Sequence, residues 1–116
     1  MDLNQLLVES EARCRTMNVA VVGVTFGSRQ KTIRQLYKGE QVQLQREPDN
    51  PYDRNAIRVQ RINGDQIGYI ARGLATSLSP RWDELGITTV PARVSCLKGG
   101  TPEQPTMGLL VQFYVP

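Results

Sequence analysis

The most regular signal along the chain is alternation. QVQLQRE (41–47) places Val42 and Leu44 on one side and Gln41, Gln43 and Gln45 on the other, the period-2 signature of a strand with one face in a core. AIRVQRI (56–62) repeats the pattern with Ile57, Val59 and, less regularly, Ile62. Asn63-Gly64, a dipeptide that readily takes the positive φ of a two-residue turn, separates this run from QIGYIA (66–71), so the two runs are expected to form a tight hairpin. NVAVVGVTF (18–26) is β-branched and almost continuous, which suits a strand buried on both faces or one that opens a small barrel, and Gly27-Ser28 breaks it. Two further runs, TTVPARVSCL (88–97) and MGLLVQFYV (107–115), flank the Gly/Pro-rich loop KGGTPEQPT (98–106).

Helical spacing appears in three places. In segment 29–38 it groups Ile33, Leu36 and Tyr37, and Gly39 follows as a stop. GLATSL (73–78) and PRWDEL (80–85) read as two short helical turns, Ser79 capping the second and Pro80 occupying its first position, where no N–H is needed. Leu74, Leu78, Trp82 and Leu85 then share one face, with Trp82 read as core. The opening DLNQLLVESEARCRTM, without Gly or Pro, predicts a helix over 3–15 with an Asp2 or Asn4 cap and a stripe of Leu3, Leu6, Leu7 and Cys14. Residues 1–17 are thus expected to form a helical extension and residues 18–116 one barrel domain. The fold class is mainly β with short helices: a small six-stranded OB-like or SH3-like barrel with a two-turn helical insertion.

Composition narrows the chemistry. The 116 residues suffice for one domain, and no run approaches the ~20 apolar residues that span a bilayer, so no membrane partner is expected. MDLNQLLVES carries acids and no basic opening, so it does not read as a secretory signal, and a cytoplasmic location is expected. Histidine is absent, which removes imidazole catalysis and His-containing metal sites. Cys14 and Cys96 cannot supply the four ligands of a structural zinc, and Cys96 sits in an apolar alternation as a small core residue. No cofactor or metal is expected.

Charge is modest overall but uneven. Lys plus Arg number 14 against 11 acids, net +3. SRQKTIRQLYK (28–38) carries Arg29, Lys31, Arg34 and Lys38 with no acid, which suits a polyanion and is equally the pattern of a solvated helix face. The densest segment is REPDNPYDRNAI (46–57). Pro48 and Pro51 restrict the residues before them to extended geometry, and Asp49, Asn50 and Asp53 can bond the local backbone. The loop fixes where Tyr52, Asp53 and Arg54 point, and it also reads as a rigid hairpin with a packed Tyr.

GVTFGSRQ (23–30), QLQREPDNPYDRNAIRV (43–59) and IGYIARGLATSL (67–78) together strongly resemble the HIRAN domain, over about residues 19–115. The resemblance implies a modified OB-like barrel that, in characterised eukaryotic members, captures the free 3′ end of single-stranded DNA. It implies that Thr25 and Phe26 stand where DNA-end binders carry an Arg-aromatic pair. Thr25 departs from that pattern, because a hydroxyl offers one hydrogen bond where Arg offers two and a charge; Arg29 is the candidate substitute. Phe26 would stack on a base, worth about 1–3 kcal/mol and tolerant of sequence. Tyr52 would sandwich the end nucleotide. Asp53 would accept a 3′-OH, since a carboxylate in a basic groove repels phosphate and favours a hydroxyl donor. Tyr69 and Arg72 would contact the backbone, Arg72 as a phosphate clamp. Lys98, or Leu97, would close the pocket. Simpler readings stand beside these: Asp53 capping the NPYD turn, Tyr69 joining Ile67 in the core, Phe26 buried, and Asn55 bonded to turn backbone.

These residues lead to a non-enzymatic module for single-stranded DNA ends, or RNA, in repair or replication-fork processing, with a DNA translocase or nuclease as partner and a homodimer through the N-terminal helix. The alternative is a protein-interaction or regulatory module that kept the barrel and lost end capture, motivated by Thr25 and the small net charge. A nuclease would need carboxylates converging on a metal. The clustered acids Glu47, Asp49, Asp53 and Asp65 lie in a Pro-rich turn and a hairpin tip.

Overall fold

The computed structural model describes residues 15–116, so all of the expected helix 3–15 but its last residue, and any dimer contact through it, lie outside the described residues. Six strands follow one another around a closed, wholly antiparallel barrel: β1 (Thr16–Val22), β2 (Gln41–Arg46), β3 (Ile57–Arg61), β4 (Gln66–Ile70), β5 (Thr89–Lys98) and β6 (Gly108–Tyr114), in the order β1-β4-β3-β2-β5-β6. Helix α1 (Arg29–Ile33) lies between β1 and β2 and packs on β4, and α2 (Arg72–Glu84) lies between β4 and β5. No helix among the described residues is long and apolar enough to cross a membrane.

The alternation written in the sequence becomes the barrel wall. Val42, Leu44, Ile57, Val59, Val90, Ala92, Val94, Leu109, Val111 and Phe113 are buried, and Trp82 of α2 meets Phe113 edge-on, centroids 6.4 Å apart. The 56–71 hairpin forms, but its turn is longer than a two-residue one: only Gly64 takes positive φ, +95°, and the Arg61 N–H donates to the Asp65 carbonyl while the Gly64 N–H donates to the Arg61 carbonyl. The seam between β1 and β4 is short, Val21 opposite Ile70 and Val22 opposite Tyr69. It closes because position 68 is glycine: a Cβ there would lie 2.4 Å from the Val22 carbonyl oxygen.

Several expectations need correction. The first strand ends at Val22 rather than running to residue 26, because Gly23 turns away with φ +68° and Arg29 Nη1 donates to its carbonyl at 2.6 Å. Thr25 and Phe26 therefore sit in a turn and not on a strand end. In the basic segment, regular helix stops at Ile33; Ile33 and Leu36 are buried but Tyr37 is exposed. The two helical turns at 73–78 and 80–85 are one helix with Pro80 inside it. Ser79 is buried and donates to the Asn55 carbonyl at 2.7 Å instead of capping. Leu85 is exposed, and Cys96, beside a bulge in β5, is only half-buried.

Two buried charges fasten the ends of β2. Arg46 donates through Nε and Nη2 to both oxygens of Asp83 at 2.9 Å and through Nη1 to the Ala56 carbonyl at 2.9 Å, tying β2, α2 and the loop before β3 together. Hydrogen bonding from Arg46 holds the Asp83 carboxyl below its ordinary pKa. At the other end Glu40, also buried, accepts from Arg61 Nε at 2.9 Å.

Candidate nucleic-acid interface

The candidate site is built on the outer face of β4 and the two segments beside it. Arg58 of β3 stands opposite Tyr69 of β4, and Tyr69 opposite Val22 of β1, so the three form one cross-strand row. Tyr69 is half-buried within it. Its hydroxyl donates to Glu47 Oε1 at 2.7 Å, Arg58 Nη1 lies 3.3 Å from Glu47 Oε2, and Asn50 Nδ2 donates to Glu47 Oε1 at 3.0 Å. Burial first, and the neighbouring Glu47 second, push the Tyr69 phenol above its ordinary pKa. Its proton is committed to Glu47.

On the α1 side, the Arg29 guanidinium lies 5.4 Å from the ring centroids of both Phe26 and Tyr69. That cation–π arrangement joins the 23–28 turn to β4. With one Arg29 nitrogen on the Gly23 carbonyl, the residue shapes the turn and displays Phe26, whose side chain is 68% exposed. Thr25 beside it is exposed too. A cleft of about 270 Å³, lined by Phe26, Ser28, Arg29, Thr32, Asp65 and Gln66, opens alongside.

On the other side, the loop between β2 and β3 is organised from within. Asn50 Oδ1 accepts from the backbone N–H of Tyr52 at 2.9 Å and of Asp53 at 3.1 Å, and Asp53 Oδ1 accepts from the N–H of Asn55 at 2.9 Å. Tyr52 is left 90% exposed. Asp53 Oδ2 lies 3.8 Å from Arg72 Nε at the start of α2. The turn-capping reading of Asp53 and its position beside a cation therefore both hold. A continuous run of contacts leads from Phe26 through Arg29, Tyr69, Glu47, Asn50 and Asp53 to Arg72.

Seven of the eight expected site residues border this run. Lys98, exposed at the end of β5, is opposite Gly108 and next to Met107, which Gln30 holds through both its amide nitrogen and oxygen. Glu47, Asn50 and Arg58 were not singled out as site residues. The signal for Arg58 was its outward parity between Ile57 and Val59, and for Glu47 its place at the loop root. Among the described residues no three His, Cys, Asp or Glu side chains converge to hold a metal ion.

The small closed antiparallel barrel is the fold of HIRAN-domain structures. The family profile for that domain matches residues 14–115, and the chain belongs to this family. It is 55% identical over 64 residues to the helicase-like transcription factor of Mus musculus, covering 55% of this chain and 6% of that protein. To the helicase-like transcription factor of Homo sapiens it is 42% identical over 71 residues, covering 55% and 7%. The chain spans only 4–7% of the length of these and the other curated relatives. The crystal structure of the HIRAN domain of human HLTF superposes with a TM-score of 0.61 at 28% identity, over 86% of this chain and 75% of that one. A Lactobacillus plantarum protein superposes with a TM-score of 0.64 at 27% identity, over 88% and 100%.

Proposed function

We propose that this domain is a non-enzymatic binding module for single-stranded DNA that takes the 3′ end of the strand. The observation that carries the reading is the pair of bare aromatic rings, Phe26 and Tyr52, at the two sides of one hydrogen-bonded platform. Exposed aromatic side chains are expensive to leave in water and are what unstacked bases use. Tyr52 stacks on the terminal base, and Asp53 accepts a hydrogen bond from the 3′-hydroxyl. Its Oδ2 retains free lone pairs because the Arg72 contact is long, at 3.8 Å. Arg72, with its side chain 82% exposed, takes the adjoining phosphate, and Phe26 takes a base further along. Arg29 and Tyr69 position Phe26, and the Arg29 nitrogens not bound to Gly23 face the backbone in place of the charge that Thr25 lacks. Lys98 adds a cation at the rim. Membership of a family shared with helicase-like transcription factors supports the reading and a role in DNA repair or fork processing beside a translocase.

Fluorescence anisotropy with a short labelled single strand tests it: wild-type protein binds with an affinity that falls as salt rises, and Phe26→Ala and Tyr52→Ala each weaken it. A second reading, a protein-interaction module, is favoured by Thr25; strand binding absent at physiological salt would put it first.

A further inference from the structure

Beyond Arg29, the basic segment 28–38 is not used by the end-binding site, and the fold leaves it free to act. Ile33 and Leu36 are buried, while Lys31, Arg34, Tyr37 and Lys38 are all exposed on the outer side of α1 and the turn that follows it. No ion pair neutralises these three cations among the described residues, whereas Arg46, Arg58, Arg61, Arg72 and Arg81 each have a carboxylate partner. The one acid between residues 28 and 46, Glu40, is buried against Arg61 and offers the surface no compensating charge. Tyr37 adds a 63% exposed ring. The patch is continuous with Phe26 and Arg29, because α1 begins at Arg29.

We infer that the exposed face of α1, with Lys31, Arg34 and Lys38 on phosphates and Tyr37 as a further stacking ring, is a second contact surface for the same strand. The strand runs 5′-ward from the Tyr52–Asp53 loop, across Phe26, onto α1. This rests on the single-strand reading above and extends its footprint beyond the end nucleotides. Charge complementarity selects the occupant: a row of unpaired cations interleaved with exposed rings is what a flexible polyanion with π faces requires.

The test compares single strands of about 4 and about 12 nucleotides, both with a free 3′ end, spanning the range of small single-strand sites. Wild-type protein should bind the longer strand roughly tenfold more tightly at low salt, with a steeper salt dependence. The triple variant K31Q/R34Q/K38Q should keep its affinity for the short strand and lose the length advantage. Its salt slope on the long strand should fall by about 2, at ~0.7 per single-strand phosphate contact. A charge-matched control, R15Q/R81Q/R93Q, should retain the advantage, which separates a local surface from net charge. These side chains are exposed, so folding should be unaffected; the double variant K31Q/K38Q, giving a partial loss, serves if the triple does not fold. Equal wild-type affinity for both lengths, or a triple variant that keeps the advantage, overturns this inference and leaves end binding standing. Binding of neither length defeats both.

Discussion

The Tyr69 hydroxyl donates a 2.7 Å hydrogen bond to Glu47 Oε1, so the outer face of β4 is tied to the root of the loop that carries Tyr52 and Asp53. The same ring receives Arg29 from the α1 side. One side chain thereby couples both halves of the candidate site. Tyr69→Phe keeps the ring for Arg29 and removes only the link to Glu47. A stability loss of about 1 kcal/mol is expected in urea unfolding, together with weaker strand binding. Unchanged affinity would show that the loop holds its shape through Asn50 alone.

The Tyr69 phenol also sets an alkaline limit. Its folded-state pKa is raised, by burial first and by Glu47 second. The stability it contributes is therefore complete below the ordinary tyrosine value of 10.0 and is lost as pH rises through the higher folded value. Spectrophotometric titration should show a late-ionising tyrosine component that disappears in Tyr69→Phe. A titration curve that Tyr69→Phe leaves unaltered at its alkaline end would refute this.

Arg46 and Asp83 make the acid-side counterpart. Arg46→Met leaves the Ala56 carbonyl and the Asp83 carboxylate without their donor. A loss of about 2–3 kcal/mol is expected, below the ~3–5 kcal/mol of fully buried pairs because the Asp83 side chain is 52% exposed. Asp83 has a lowered folded pKa, so its share of stability is present above the ordinary value of 3.8 and falls away as pH drops further, through the folded value. Asp83→Asn should flatten that acid limb in thermal melts.

Gly68→Ala addresses the barrel seam. The added Cβ would lie 2.4 Å from the Val22 carbonyl oxygen and 2.7 Å from Val21 Cγ1, contacts that only a backbone shift relieves. Destabilisation of about 2 kcal/mol or more is expected, with hydrogen exchange rising first at Val21 and Val22.

Much of this architecture is readable as alternation. β2, the 56–71 hairpin and the two last strands follow their hydrophobic parity, and the resemblance points to the loop that carries Tyr52 and Asp53. Arg46 obeys the same parity: Val42, Leu44 and Arg46 on β2, with Glu40 just before it, share the inward side, and all four are buried. A charge on that parity signals a buried pair whose partner, here Asp83 or Arg61, is remote in sequence. The single helix α2 was hidden because Ser79-Pro80 imitates a helix start; the exposed proline instead lies within the helix, while Ser79 bonds the loop carbonyl of Asn55. The early end of β1 depends on Arg29 reaching back six residues to Gly23, a tertiary contact with no local signature.

Thr25 offers a gain-of-function check. It is exposed beside Phe26, so Thr25→Arg adds an unpaired cation at little structural cost. Affinity for single strands should rise several-fold at low salt, with a salt slope steeper by about 0.7. No gain would mean that the strand does not pass this turn.

The most direct test is the relative affinity of wild-type protein for one strand ending in a 3′-hydroxyl and the same strand ending in a 3′-phosphate. On the proposed reading Asp53 accepts a hydrogen bond from the 3′-hydroxyl and repels a terminal phosphate, so the hydroxyl end should bind at least about tenfold more tightly, and Asp53→Ala should erase the difference. Equal affinity for the two ends, unchanged by Asp53→Ala, would contradict 3′-end capture.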